Sequence, residues 1–174
     1  GQPDVFWPGY IRKFAKSSGT TNAKSKFIPI SEESLEDCHF KAGKDLLSIY
    51  ANNHPDNSLF SNKNLRLGGS SELYEDFNTK FGDLSAIMIE NLPFWVEITT
   101  TPSKKVSLMS EWESKLKAIV SVVKNEDVGS MTGVPSWMMV LLQRTLADTG
   151  KETIAEIWPN LEVFFHGGIS FTPY

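Results

Sequence analysis

The chain has 174 residues, is 40% hydrophobic and 22% charged, and carries a formal net charge of −4 with one cysteine. That length gives one domain or two small ones, with a core large enough to need neither metal nor disulfide, and the composition excludes disorder. No apolar run approaches the ~18 residues of a membrane span and no signal-peptide pattern is legible, while Cys38 alone excludes a disulfide framework and fits a reducing cytoplasm.

Charge is unevenly placed. Residues 1–30 carry Arg12, Lys13, Lys16, Lys24 and Lys26 against Asp4, whereas the remainder carries twelve basic and twenty acidic side chains. An acidic protein with one basic corner is poorly suited to following a nucleic-acid backbone and better suited to holding one small anion. A solvated basic face is the alternative.

In chain order, Lys26 to Ile30 is a short extended run that Pro29, lacking an N–H, confines to a sheet edge or strand end. Ser31 predicts a helix N-cap, with Glu32, Glu33, Glu36 and Asp37 suited to the positive end of the dipole. Leu35, Cys38, Ala42, Leu46 and Ile49 recur at helical spacing, which carries the helix to about Ala51 before Asn52-Asn53-His54-Pro55 ends it. Asn64 to Leu67 reads as a strand closed by Gly68 and Gly69, and Asp83 to Asn91 as a helix stopped by Pro93.

Further on, Ser110 and Glu113 have capping-box spacing ahead of a helix with Trp112, Leu116, Ile119, Val120 and Val123 on one face. Asp127 to Thr132 is the next strand. Gly133 and Pro135 then open a helix through Leu146, ended by Gly150. Leu161 to Phe165 is an apolar strand running into Gly167 and Gly168, with a turn and the start of another strand by Phe171. Alternating strands and helices give an α/β sheet protein, whose ligands gather beyond the strands' carboxyl ends. The chain reads as a single partial domain over residues 1–174, a piece of something longer.

The strongest local feature is Ser17-Ser18-Gly19-Thr20-Thr21, followed by Lys24 and Lys26. Hydroxyls and a glycine that can turn its N–H toward a ligand suit an anion, and lysines add point charges. It is not a Walker A sequence, and its composition also fits an ordinary surface loop. No nucleophile elbow, zinc-protease pair or spaced metal ligands appear. Cys38 and His39 are adjacent but point about 100° apart on a helix. Cys38 is expected to be buried, and His39 and His54 to lie at the surface. His166, ending an apolar strand before two glycines, divides evenly between a site role and a satisfied sheet-edge residue. Trp137, Met138 and Met139 fit helix core as readily as a pocket wall.

Taken in order, Ser17-Ser18-Gly19-Thr20-Thr21, Lys26-Phe27-Ile28-Pro29, Asn91-Leu92-Pro93-Phe94-Trp95, Gly133-Val134-Pro135-Ser136-Trp137-Met138-Met139 and Trp158-Pro159-Asn160-Leu161-Glu162-Val163-Phe164-Phe165-His166-Gly167-Gly168 form a series. It resembles the auxin-responsive Gretchen Hagen family of acyl acid-amido synthetases in its bacterial form, within the adenylate-forming superfamily of firefly luciferase and the acyl-CoA ligases. The resemblance implies the middle of the large N-terminal domain, without the mobile C-terminal lid. It implies ATP with Mg2+, a small carboxylic acid and an amino acid as reactants, with no nucleic acid or membrane partner.

Residue by residue, Ser17, Ser18, Gly19, Thr20, Thr21 and Lys26 match the family's phosphate-binding loop and its lysine. Gly167 and Gly168, with His166 before them, match the turn against acyl group and nucleotide, and Val134 and Trp137 fall in the acyl-pocket segment. Asn22 and Ala23 depart from the glycine many relatives place after the second threonine. Gly69-Ser70-Ser71-Glu72 imitates the adenine motif but precedes the Gly-Gly turn, whereas the family's motif follows it. The adenine turn, the ribose-gripping aspartate and the lid are missing, so this chain alone is expected to be inactive. The alternatives are a fragment of an acyl-CoA ligase relative, a stand-alone module binding a small anion or acid without catalysis, and a structural domain that self-associates through surfaces exposed by truncation.

Overall fold

The computed structural model describes residues 3–5, 7–17, 26–68 and 73–167. The strands are β1 (Lys13–Lys16), β2 (Phe27–Ile30), β3 (Lys63–Leu67), β4 (Leu73–Asp76), β5 (Thr79–Gly82), β6 (Thr100–Thr101), β7 (Val128–Gly133) and β8 (Val163–His166). The α-helices are α1 (Lys41–Asn53), α2 (Leu84–Glu90), α3 (Phe94–Thr99), α4 (Lys104–Ser107), α5 (Trp112–Val123) and α6 (Pro135–Thr149). Two compact units result: Gly1–Pro55 with Ser70–Asn91, and Asp56–Gly69 with Leu92–Tyr174.

The first unit is built on a four-stranded mixed sheet in the order β2-β1-β5-β4. β2, with Pro29, takes an edge, as a residue without an N–H requires. Alternation along the strands separates two faces. One carries Ala15 and Gly82, and α2 packs on β1 and β5 with Ala86, Ile87 and Ile89 buried. The other carries a row of rings: Phe81 stacks on Phe14 at 5.5 Å and on Tyr74 at 6.4 Å, and meets Phe27 edge-on at 5.5 Å. β4 and β5 are joined through Phe77 and Asn78, both at positive φ (44° and 61°), the mirror-image turn that matches strand twist.

Ser31 caps as expected, its Oγ accepting the Ser34 N–H at 3.1 Å. Beyond it, however, Ser34–Phe40 forms a wider π-helical turn before α1 begins. Each residue of a π-turn rotates less about the axis, so residues before and after it do not share the face that 3.6 spacing assigns. Leu35 is buried, whereas Leu46 is 48% and Ile49 60% exposed. Cys38, expected inside, is exposed for the same reason. His54 is exposed and His39 half-buried.

The second unit holds a four-stranded sheet, entirely parallel, in the order β6-β3-β7-β8. Leu65 and Leu67 of β3, Val128 and Met131 of β7, Leu116, Ile119, Val120 and Val123 of α5, Met138 and Leu141 of α6, and Trp158 form its core. The stripe on α5 is thus the buried face. Its cap is not Ser110 but the next residue: the Glu111 carboxylate accepts the Glu113 and Ser114 N–H groups at 2.9 and 2.6 Å. α6 starts with Pro135 in its first turn and ends at Gly150 in the left-handed conformation, φ +68°. Trp158 is fully buried, and its Nε1 donates to the Val123 carbonyl at 3.0 Å. No helix among the described residues is long and apolar enough to cross a membrane.

Candidate functional site

In chain order the parallel strands of the second unit are placed 2-1-3-4. The direction of winding reverses between the first and third, β3 and β7. In open sheets of this kind a crevice forms at that reversal, outside the carboxyl ends. Those ends are Leu67-Gly68 and Gly133-Val134, and they approach so closely that a Cβ on Gly133 would lie 2.8 Å from the Leu67 carbonyl oxygen.

Around this edge the sequence-derived residues gather. Val134 is the half-buried, extended residue before α6, and its carbonyl accepts the Met138 N–H at 3.0 Å. Trp137 stands 43% exposed on the first turn, 4.6 Å edge-on from Trp112, while Met138 goes to the core and Met139 to the surface. His166 ends β8 opposite Gly133, exposed, with its ring 5.4 Å from Phe164. Gly167 follows, exposed and with open space where a Cβ would be. Gly168 lies outside the described residues.

The basic loop belongs to the first unit. β1 and β2 are antiparallel neighbours, and the chain between them is closed at its base by a reciprocal pair of bonds. The Ser17 N–H donates to the Lys26 carbonyl at 2.8 Å, and the Lys26 N–H donates to Ser17 Oγ at 3.0 Å. Ser18, Gly19, Thr20 and Thr21 lie outside the described residues, as do Ser70, Ser71 and Glu72. Beside Lys26, Phe27 joins Trp7, Tyr10 and Phe14 in lining a groove of about 640 Å3, with Glu33 and Asp37 also in its wall. Hydrogen bonds from its own backbone N–H, from Ser31 and from Trp7 hold the Glu33 carboxyl below its ordinary pKa. An aromatic groove bordered by carboxylates suits a neutral or cationic ring and repels a small acid.

Sequence reasoning missed that groove and one further residue, Arg66. Side chains Asn64 and Arg66 of β3 and Ser130 and Thr132 of β7 share the sheet face opposite the core. Asn64 Nδ2 donates to Ser130 Oγ at 2.8 Å and to Thr132 Oγ1 at 3.1 Å. Arg66 Nη1 reaches Thr100 Oγ1 at 3.5 Å, while Nε and Nη2 are buried and have no partner among the described residues. Burial pushes the guanidinium down to about 10, with the charge of Glu97 on α3 opposing that shift. The alternation Asn64-Leu65-Arg66-Leu67 was the available signal, since it places a charge on one face of a strand whose other face is core. Among the described residues, no three potential metal-binding side chains come together.

The parallel sheet wound both ways about a glycine-lined edge defines an α/β domain. The chain belongs to the GH3 family, whose N-terminal domain matches residues 1–174. This bears out the family resemblance of the motifs and the mixed α/β class. Among solved structures the chain is similar to an Arabidopsis acyl acid amido synthetase, AtGH3.15 in complex with 2,4-DB, with a TM-score of 0.54 and 16% identity. The likeness, one of fold, covers 79% of this chain and 24% of that protein, so the chain spans about a quarter of its relative's length. No curated protein sequence matches.

Proposed function

We propose that the chain is part of an ATP-dependent ligase joining a small carboxylic acid to an amino acid, working in the cytoplasm. In the first half-reaction an acid oxygen attacks the α-phosphorus of ATP, the bond to the bridging oxygen breaks, and pyrophosphate leaves. In the second the amine nitrogen attacks the acyl carbonyl, loses its proton, and AMP departs. The observation that supports this best is the closed base of the Ser17–Lys26 loop, in a chain whose whole length matches the family. The reciprocal bonds between Ser17 and Lys26 fix both ends of the loop before any ligand arrives. Donors set in advance stabilise charge shifting onto phosphate oxygens without reorganising at the moment of reaction.

In this reading Ser17, Ser18, Gly19, Thr20, Thr21 and Lys26 hold the phosphates, and Val134, Trp137, His166, Gly167 and Gly168 border acid and nucleotide. Mg2+ would enter on the phosphates and offset their charge, and no carboxylate of the chain is assigned to it. Transfer to a thiol, as in an acyl-CoA ligase, uses the same first step and is separated by supplying the complete gene product with amine or thiol acceptors. A binding module without catalysis is the second reading. The groove lined by Trp7, Tyr10, Phe14 and Phe27 favours it, although Glu33 and Asp37 there suit a ligand other than an acid.

The test is acid-dependent ATP–pyrophosphate exchange by the complete gene product across a panel of carboxylic acids. Exchange is expected, falling at least about tenfold in Lys26→Ala, since charge-assisted bonds to phosphate are worth roughly 1.5–3 kcal/mol. The 174-residue chain alone is expected to give none. Absence of exchange with every acid, together with nucleotide binding by the chain, would instead establish the binding module.

A further inference from the structure

Arg66 has an uneven set of partners. On a guanidinium the Nε–H and one Nη2–H point the same way, forming a rigid two-pronged edge, and it is this edge that is buried and, among the described residues, unpartnered. The remaining Nη1 is tethered to Thr100. A buried cation with satisfied packing and unused donors is costly unless something supplies acceptors.

We propose that the Nε–Nη2 edge of Arg66, on the polar face of the parallel sheet where β3 meets β7, is a binding site for a carboxylate. Its two parallel donors match the two oxygens of that group. The neighbours agree. Thr132 stands opposite Arg66 in the register, and its Oγ1 accepts from Asn64, so its own O–H is left to donate. Asn64 does the same for Ser130, and the Arg66 side of the cluster therefore offers donors. Arg66 is one residue before the end of the strand at which winding reverses, next to the crevice that forms there. Glu97, close enough to act on Arg66 through its charge, favours a monoanion over a doubly charged phosphate.

Resting on the ligase reading, one carboxylate fits better than the other. The reacting acid must keep an oxygen free to attack phosphorus, whereas a two-pronged bond occupies both. The α-carboxylate of the acceptor amino acid takes no part in bond making and can be held throughout.

The experiment follows the Arg66 side-chain Nε–Hε resonance of the 15N-labelled chain. Sodium acetate, glycine, glycine methyl ester, inorganic phosphate and sodium chloride are added at matched ionic strength, with exposed Arg144 as the reference. Acetate and glycine should shift Arg66 saturably and leave Arg144 in place, while the methyl ester and chloride should do neither. Arg66→Lys, which keeps the charge but loses the fork, should weaken acetate about tenfold or more, and Thr132→Val should weaken it less.

A shift produced equally by chloride, or by phosphate and not acetate, overturns the proposal. So does a ligand-free Arg66 resonance that moves in Glu97→Gln as though a carboxylate had been withdrawn. If acetate binds while the complete gene product shows no pyrophosphate exchange, the fork stands and the ligase reading falls. Exchange without any Arg66 shift gives the reverse.

Discussion

Replacing Gly133 by alanine tests whether the close approach of β3 and β7 is a structural requirement. The added Cβ would meet the Leu67 carbonyl oxygen at 2.8 Å, Met138 Cε at 3.4 Å and Leu67 Cβ at 3.5 Å. Only the first is intolerable, and relieving it to 3.4 Å requires the strands to part by about 0.6 Å. Leu67 cannot retreat freely, because its side chain is buried in the core and its backbone is paired with β7 at Gly133 itself. Overpacking of this kind costs roughly 1–3 kcal/mol, and the reduced freedom of the unfolded alanine chain returns roughly 0.4–1. The net loss is about 1–2 kcal/mol, which at a urea slope near 2 kcal/mol/M lowers the midpoint by about 0.5–1 M. Tryptophan fluorescence reports chiefly the second unit, which holds four of the five tryptophans, with Trp158 among them buried. Gly43→Ala is the control, because a Cβ there meets nothing within 4 Å on a helix, and it should raise stability by about 0.5–1 kcal/mol. A Gly133→Ala midpoint at or above the parent value would refute the steric argument.

Trp158→Phe removes the bond to the Val123 carbonyl and part of the core volume, and should cost about 1–3 kcal/mol in urea unfolding. Phe77→Asn should gain roughly 0.5–1 kcal/mol, because asparagine tolerates the φ of 44° that strains a bulky exposed ring, and calorimetry would register it. Glu111 and Glu156 accept backbone N–H bonds that lower their pKa values from the ordinary 4.5. Their contribution is therefore complete above that value and is lost as pH falls through the lowered one, so urea midpoints should drop below about pH 4.5 and Glu111→Gln should flatten the drop. Leu46→Lys on the exposed side of α1 should change stability by less than about 0.5 kcal/mol, and a larger loss in thermal unfolding would show that this face is packed.

Helices α5 and α6 were legible because local signals agreed. An apolar stripe, a proline in the first turn and a glycine beyond the last all specify the same element. The cap of α5 was displaced by one residue because a glutamate can fill the role that sequence patterns reserve for serine. β1 and the β4–β5 hairpin escaped notice for want of length and turn chemistry: four-residue strands, two ending in charge, joined through Phe77-Asn78 with no glycine. Cys38 was misplaced by a π-turn that no periodicity announces.

The residues at the sheet edge were found through motifs whose spacing is local, Gly133 to Trp137 and His166 to Gly167. Arg66 was not, because its isolation depends on Thr100 and Thr132, which arrive 34 and 66 residues later and leave its fork unfilled.

The order of the strands also sets a schedule for synthesis. β3 is the interior strand from which the second unit's sheet grows, yet the residue bonded to Asn64 on β7 lies 66 positions downstream. At ribosomal rates of roughly 5–20 residues per second, β3 waits about 2–7 s for β6 on one edge, 36 positions on, and about 3–13 s for β7 on the other. The first unit's β1–β2 pair can zip within moments of emerging. Vectorial production therefore hands the cell a finished hairpin followed by an unpaired strand with one apolar face, and slowed elongation between Leu67 and Val128 should raise the demand for chaperone protection.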